Sequence, residues 1–218
     1  MAYRGPRTRI RALESLEKII RLASDYDVRI VTLHPAYYKP HFNDYTSSPH
    51  AEVSLDYYRG FSAMLSALKE LVASAEVHDV VLGSENMEYY SLEGGKLLRG
   101  SHFGRTRLEV IKILQAVNRP NLRLTYDVGY ANLTEEGPNN FCKDVVSFIV
   151  NVHVNDNDGR SDLHGAIGSG NIDFRGVFKV LVNEGYSGAI IVELPYDERL
   201  VSDIRKVRGL LVELDALD

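Results

Sequence analysis

Apolar positions along the chain switch repeatedly between two periods. Ile10, Leu13, Leu16, Ile19, Ile20 and Ala23 recur at helical spacing and predict an amphipathic helix over residues 8–25. The run Val28–His34 that follows is short, β-branched and largely apolar, the pattern of a strand covered on both faces. A second helix is predicted over 54–74, with Leu55, Tyr58, Phe61, Leu65, Leu68 and Val72 on one face, and a second strand over Asp79–Glu85. Leu108, Ile111, Leu114 and Val117 mark a third helix, closed by Pro120 and followed by the strand Leu122–Asp127. The remaining chain repeats the theme: a short helix around 140–146, the strand Ile149–Asn155, a helix over 173–184, the strand Ala189–Glu193, and a last helix carrying Ile204, Val207, Leu211 and Leu214. Short apolar strands alternating with amphipathic helices require right-handed βαβ crossovers and a parallel sheet. The expected fold is therefore α/β, with five parallel strands in a single domain over residues 1–218.

Composition narrows the function classes. A chain of 218 residues can bury one substantial core, and 44% hydrophobic with 25% charged residues is globular rather than disordered composition. The net charge of −5 weighs against a nucleic-acid partner, because phosphate neutralisation by cations dominates such binding. The one dense cationic run, Arg4, Arg7, Arg9 and Arg11, is expected at the exposed start of the first helix. The lone cysteine, Cys142, leaves neither an intrachain disulfide nor a cysteine metal cage, and is expected half-buried on a helix. Met1–Arg11 is polar and basic without the apolar core of a signal peptide, and no window approaches the roughly 18 apolar residues of a membrane span. A cytoplasmic location is the simplest expectation.

Each predicted strand stays apolar until its carboxyl end, where a polar side chain appears: His34, Glu85, Asp127, His153 (with Asp156 just beyond) and Glu193. In parallel α/β folds these ends open onto one face, where ligands bind. Residues far apart in sequence should therefore converge. Singly, each has an ordinary reading: a solvated loop glutamate, an aspartate capping the turn with Gly129, a satisfied core histidine. Together, buried carboxylates without a cation would repel at considerable cost. Glu85, Asp127, His153 and Glu193 thus make an oxygen-rich ligand set for one divalent metal, Mn²⁺, Mg²⁺, Co²⁺ or Zn²⁺.

Five motifs in order, Ser84-Glu-Asn-Met87, Tyr126-Asp-Val-Gly-Tyr-Ala-Asn132, Val152-His-Val-Asn-Asp156, Asp162-Leu-His-Gly-Ala-Ile-Gly-Ser-Gly170 and Ile191-Val-Glu-Leu194, resemble the xylose-isomerase-like TIM-barrel superfamily. That superfamily holds sugar phosphate isomerases and epimerases and the endonuclease IV type of DNA-repair enzyme. The resemblance spans essentially the whole chain. It implies that Glu85, Asp127, His153 and Glu193 match the shared metal ligands, and that the two glutamates form the acid/base pair of the epimerase-like members. His34, within His34-Pro35, matches a position used for substrate or a second metal, and Asp162 with His164 matches a pair that helps hold a further zinc in the nuclease branch. Two departures stand out. Tyr130 occupies a position often held by histidine, and five of the family's eight strands are found, so the first three βα units are expected to be missing, as in an N-terminally shortened barrel, a fragment or the product of a misplaced start. A partial, open barrel is expected, with pairing of a second copy along its open sheet edges as a route to a homodimer.

The leading expectation is a metal-dependent isomerase or epimerase of a small carbohydrate, working through an enediolate, with Glu85 and Glu193 exchanging the proton and Tyr130, His164 and Arg160 orienting substrate. Arg160, in a polar loop, reads equally well as a solvated charge. The alternatives are a zinc phosphodiesterase acting on abasic DNA and a non-catalytic metal-binding remnant of the barrel. Gly168-Ser-Gly170 lacks the lysine and spacing of a phosphate loop and is expected to form a tight turn. The loop 36–49, with Tyr37, Tyr38 and Tyr45, is either a lid over the pocket or a plain surface loop.

Overall fold

The computed structural model describes residues 6–37, 55–93, 96–99, 102–195 and 198–216. Tyr38 and Tyr45 of the expected lid lie outside these residues. The described chain runs α1 (Pro6–Asp25), β1 (Ile30–Leu33), α2 (Leu55–Val77), β2 (Val81–Glu85), β3 (Tyr90–Glu93), β4 (Lys96–Arg99), α3 (Arg107–Val117), β5 (Leu122–Asp127), α4 (Val128–Asn132), α5 (Gly137–Lys143), a 3₁₀ turn (Val146–Phe148), β6 (Ile149–Val154), α6 (Phe174–Asn183), β7 (Ala189–Val192) and α7 (Leu200–Val212).

Five strands pair in parallel in the order β1-β2-β5-β6-β7, which is chain order. A sheet wound in one direction keeps all its helices on one side, and the result is an open half-barrel of the TIM-barrel type. Alternation along the strands sorts the side chains. Leu33, Leu82, Leu124, Tyr126, Val152 and Val154 point outward and join Leu68, Leu71, Ile113, Phe141, Val177 and Phe178 of the helices in one buried cluster. The residues of opposite parity, Thr32, Gly83, Glu85, Thr125, Asp127, Asn151 and His153, line the inner face.

The helical stripes shift from the predicted ones. On α2 the buried line is Met64, Ala67, Leu68, Leu71, Val72 and Ala75, while Tyr58 is exposed. Ile10 and Ile19 of α1 and Ile204 of α7 are also exposed. These two helices close the ends of the arc: α1 packs on α2 and β1, α7 on α6 and β7, so the far flank of each apolar stripe faces solvent. Cys142 is fully buried rather than half-buried, because α5 packs against α6, and burial pushes its thiol up to about 12.

Two elements were not expected. The antiparallel pair β3–β4 interrupts the β2–α3 connection. The chain then returns through Gly104, at φ +82, and side-chain hydrogen bonds cap the start of α3. There the Thr106 hydroxyl accepts the Glu109 N–H, and Glu109 Oε2 accepts the N–H groups of Gly104 and Arg105. Tyr57 of α2 donates its hydroxyl to the other Glu109 oxygen. This anchoring sets His102 at the mouth of the half-barrel, where it forms a bridge with Tyr37. The second unexpected element, α4, is the turn at Asp127 and Gly129 extended into a helical turn, with Asp127 as its N-cap.

Candidate metal centre

One ligand atom from each of Glu85, Asp127, His153 and Glu193 lies within 4.8 Å of the other three. The four come from the ends of β2, β5, β6 and β7, in that spatial order. A cation with donors at about 2.1 Å places neighbouring ligand atoms about 3.0 Å apart and opposite ones about 4.2 Å apart, so this set closes around an ion with small side-chain shifts.

The surroundings hold each ligand in place. Asp127 is completely buried; its Oδ1 accepts the Tyr130 N–H at 2.5 Å and its Oδ2 accepts Asn155 Nδ2 at 3.0 Å. Asn155 reaches it only because residue 129 is glycine: a Cβ there would lie 1.9 Å from Asn155 Oδ1. Asn86, also fully buried, ties β2 to β5 by donating to the Asp127 carbonyl and accepting its N–H, at 2.9 and 2.8 Å. Glu85 receives His34 Nε2 on one oxygen at 2.9 Å, and its other oxygen lies 2.8 Å from His153 Nδ1. Glu193 Oε2 lies 2.8 Å from the same nitrogen.

Donor chemistry and electrostatics agree on a cation. His153 Nδ1 and Glu85 Oε1 are buried without a hydrogen bond of acceptable geometry, although both stand close to groups of opposite character. One Nδ1 proton cannot serve two carboxylates, whereas an ion at the common focus satisfies all of these atoms. Burial, reinforced by the Glu85 charge, raises the Asp127 carboxyl well above the usual carboxylate range. Burial alone would lower the His153 imidazole, but the Glu193 and Glu85 carboxylates, each 2.8 Å from Nδ1, outweigh that and push it up to about 10. Glu85 is also pulled two ways: burial opposes ionisation, yet His153 and His34 hold it below its usual value. The His153 imidazole beside it likewise lowers Glu193. Three acidic side chains and a histidine gathered in this way could hold a metal ion.

The other expected site residues divide. His34 stands beside Glu85, which raises its imidazole above the usual value. Tyr130 is buried with Met87 and Leu133 in a small apolar cluster and meets His164 edge-on, the ring centroids 6.1 Å apart. His164 Nε2 lies 3.3 Å from Asp162 Oδ1, and its Nδ1 lies 3.3 Å from the Glu193 carbonyl. Among the described residues, no group of three or more possible ligands includes the Asp162–His164 pair. Arg160 is exposed, on a loop whose N–H groups at 160 and 161 donate to Asp158 Oδ1.

Further residues at the mouth carried no assigned role in the sequence. His102 Nδ1 lies 3.4 Å from Glu88 Oε1, and the His102 ring meets those of His34 and Tyr37 edge-on at 6.4 and 5.7 Å. Asn86 and Asn155 stand within Ser84–Met87 and Val152–Asp156, each next to a charged residue. Asp156 turns out to organise the following loop. Its Oδ2 accepts the N–H groups of Gly168 and Gly170, and its Oδ1 those of Asn157 and Ile172. Gly168-Ser-Gly170 therefore cradles a carboxylate of its own chain, and a Cβ at Gly170 would lie 2.1 Å from the Asn157 carbonyl oxygen. Asp156→Ala strands four amide donors and is expected to cost about 3 kcal/mol in urea unfolding, with faster amide exchange at Gly168 and Gly170.

A family model described as xylose isomerase-like TIM barrel matches residues 1–214. The chain belongs to the xylose isomerase-like TIM-barrel family. Among its relatives, the uncharacterized protein MJ1311 of Methanocaldococcus jannaschii is 31% identical over 215 residues, which cover 97% of this chain and 65% of that protein. L-ribulose-5-phosphate 3-epimerase UlaE of Escherichia coli is 25% identical over 189 residues, covering 85% of this chain and 57% of that enzyme. The chain thus matches less than two thirds of the length of either. The crystal structure of a D-tagatose 3-epimerase-like protein superposes with a TM-score of 0.79 at 27% identity, covering 96% of this chain and 72% of that one. No helix among the described residues is long and apolar enough to cross a membrane.

Proposed function

We propose that the protein is a divalent-metal-dependent sugar epimerase or isomerase. The observation that carries this reading is the convergence of Glu85, Asp127, His153 and Glu193 within 4.8 Å, with Glu85 Oε1 and His153 Nδ1 buried and lacking a well-formed hydrogen bond. The epimerase names among the relatives support the carbohydrate class.

Glu85, Asp127, His153 and Glu193 would hold the ion. When bound, a divalent cation neutralises the carboxylates and polarises a substrate carbonyl, which acidifies the adjacent C–H. Glu85 and Glu193 stand on strands that flank those of Asp127 and His153, so they can address a substrate carbon from two sides. One takes the proton from carbon and the other returns a proton on the opposite face. Their settings differ: the Glu85 side chain is 2% exposed and that of Glu193 45%. A proton on Glu85 can reach solvent through His34, which is hydrogen-bonded to it and 55% exposed. Tyr130, Met87 and Leu133 supply an apolar wall, and His102 with Glu88 faces the opening as a hydrogen-bonding arm for substrate hydroxyls. His102→Ala is expected to raise KM about tenfold, the worth of one hydrogen bond of roughly 1.4 kcal/mol, without changing metal content.

The test is incubation of the Mn²⁺-loaded protein with a panel of ketoses and ketose phosphates in D₂O, followed by NMR. Epimer formation or deuterium at a carbon next to the carbonyl supports the reading. Metal uptake without exchange on any sugar reduces the protein to a metal-binding barrel remnant. Backbone edges of β1 and β7 have no strand partner among the described residues, and we propose that a second copy pairs there; light scattering showing only monomer up to millimolar concentration would remove that part.

A further inference from the structure

Below the four converging ligands, the inner face carries a second polar layer that the proposed reaction does not use. Thr125 Oγ1 lies 2.6 Å from Asn151 Oδ1 and 3.0 Å from Thr32 Oγ1. Asn151 Nδ2 lies 3.3 Å from Thr32 Oγ1 and 3.2 Å from His153 Nε2. Side chains from β1, β5 and β6 thus close a ring of hydrogen bonds with an exit to the metal-site histidine. Since β2 lies between β1 and β5, the ring must pass over it, and it does so at Gly83. A Cβ there would stand 2.1 Å from Thr125 Oγ1 and 3.3 Å from Asn151 Oδ1.

The ring satisfies itself in either sense. With Oδ1 toward Thr125, protons run from Thr32 to Thr125 to Asn151, and Nδ2 donates to Thr32 and to Nε2. With the amide turned over, Nδ2 donates to Thr125, Thr125 to Thr32, and Thr32 to Oδ1. Oδ1 then also stands as acceptor for an Nε2–H. Amide oxygen and nitrogen have nearly the same shape, so the needs of the neighbours choose between the two senses. Nδ1 of His153 is the nitrogen that faces Glu85 and Glu193. A nitrogen that holds an ion offers its lone pair, which puts the imidazole proton on Nε2, and only the second sense accepts it.

We propose that Asn151 is the positioning residue of the metal site. Its carbonyl oxygen takes the Nε2–H of His153, and the Thr32–Thr125 hydroxyl pair, seated over Gly83, holds that carbonyl in place. The inference rests on the metal-dependent reading above, and glycine at 83 becomes part of the site although it touches no ligand.

The experiment compares Mn²⁺ affinity by calorimetry for the parent chain, Asn151→Leu, Asn151→Asp and the isosteric Thr125→Val. Each is checked for folding by near-UV circular dichroism. Asn151→Leu should bind about 10–100-fold more weakly, Thr125→Val more weakly by a smaller factor, and Asn151→Asp, which keeps an acceptor on Nε2, should recover most of the affinity. In the Mg²⁺-loaded, ¹⁵N-histidine-labelled parent, a slowly exchanging Nε2–H signal of His153 is expected and should disappear in Asn151→Leu. Equal affinities in the parent and a folded Asn151→Leu overturn the proposal and leave the metal reading intact. Should Asn151→Leu fail to fold, an unchanged affinity in Thr125→Val overturns it. A parent that takes up no metal refutes the metal reading and this inference with it.

Discussion

Glu85→Gln and Glu193→Gln should each lower epimerisation by about 10²–10⁴-fold, the usual contribution of one general acid–base group. The two variants are expected to differ in which proton they can still move. With two bases acting on opposite faces, each epimer surrenders its proton to a different glutamate. Removing one base leaves the other able to take the proton from one epimer and return solvent deuterium to the same face. Glu85→Gln should therefore exchange deuterium into one epimer only, and Glu193→Gln into the other, both without inversion. Glutamine keeps a carbonyl oxygen for the ion, so metal uptake should weaken less than turnover falls. The Glu85 variant should suffer more in affinity, because that carboxylate is buried and holds both His34 and His153. NMR of each purified epimer in D₂O reads the result. Equal exchange into both epimers in either variant would exclude the two-glutamate scheme while leaving the metal site standing.

Much of this site was legible in the sequence because parity and strand ends are local properties. An apolar run that ends in one polar residue fixes where that residue emerges, and parallel pairing brings five such ends together. What sequence could not carry was the third dimension of the support. Asn86, Asn151 and Asn155 look like neutral residues until their partners are known: Asp127 on the neighbouring strand for the first and last, and for the second Thr125 on the neighbouring strand and His153 two residues on. Gly83 gains its meaning only when Thr32 and Thr125 are seen to meet above it. His102 reached the mouth through β3–β4, for which a signal existed: Gly94-Gly95 between two short runs, Tyr90–Glu93 and Lys96–Arg99, is a hairpin pattern. The exposed Ile10, Ile19 and Ile204 show the complementary limit. Helical periodicity locates an apolar stripe but not how much of its width a neighbour covers, and at the ends of an open arc the cover is one-sided.

Metal affinity should rise steeply with pH. In the metal-free protein the His153 imidazole, raised to about 10, is protonated at neutral pH, and an ion must displace that proton. The apparent Kd for Mn²⁺ is expected to fall about tenfold per pH unit between pH 7 and 9, levelling as the pH nears 10. Calorimetry in buffers of different ionisation enthalpy at pH 7.5 should count about one proton released per ion from His153, with any further release coming from Asp127, whose burial raises its carboxyl. Stability carries the opposite sign. A histidine whose folded pKa lies above its unfolded value near 6.5 contributes stability that is complete below that value and is lost as pH rises through about 10. The metal-free protein should accordingly lose Tm from pH 7 to 10, while saturating Mn²⁺ should flatten or reverse the trend, because ion binding grows stronger over the same interval. Affinity independent of pH, with no proton released, would mean that Glu85 and Glu193 do not hold His153 in its charged form. The account of the site as a cation cradle kept closed by a proton would then fail.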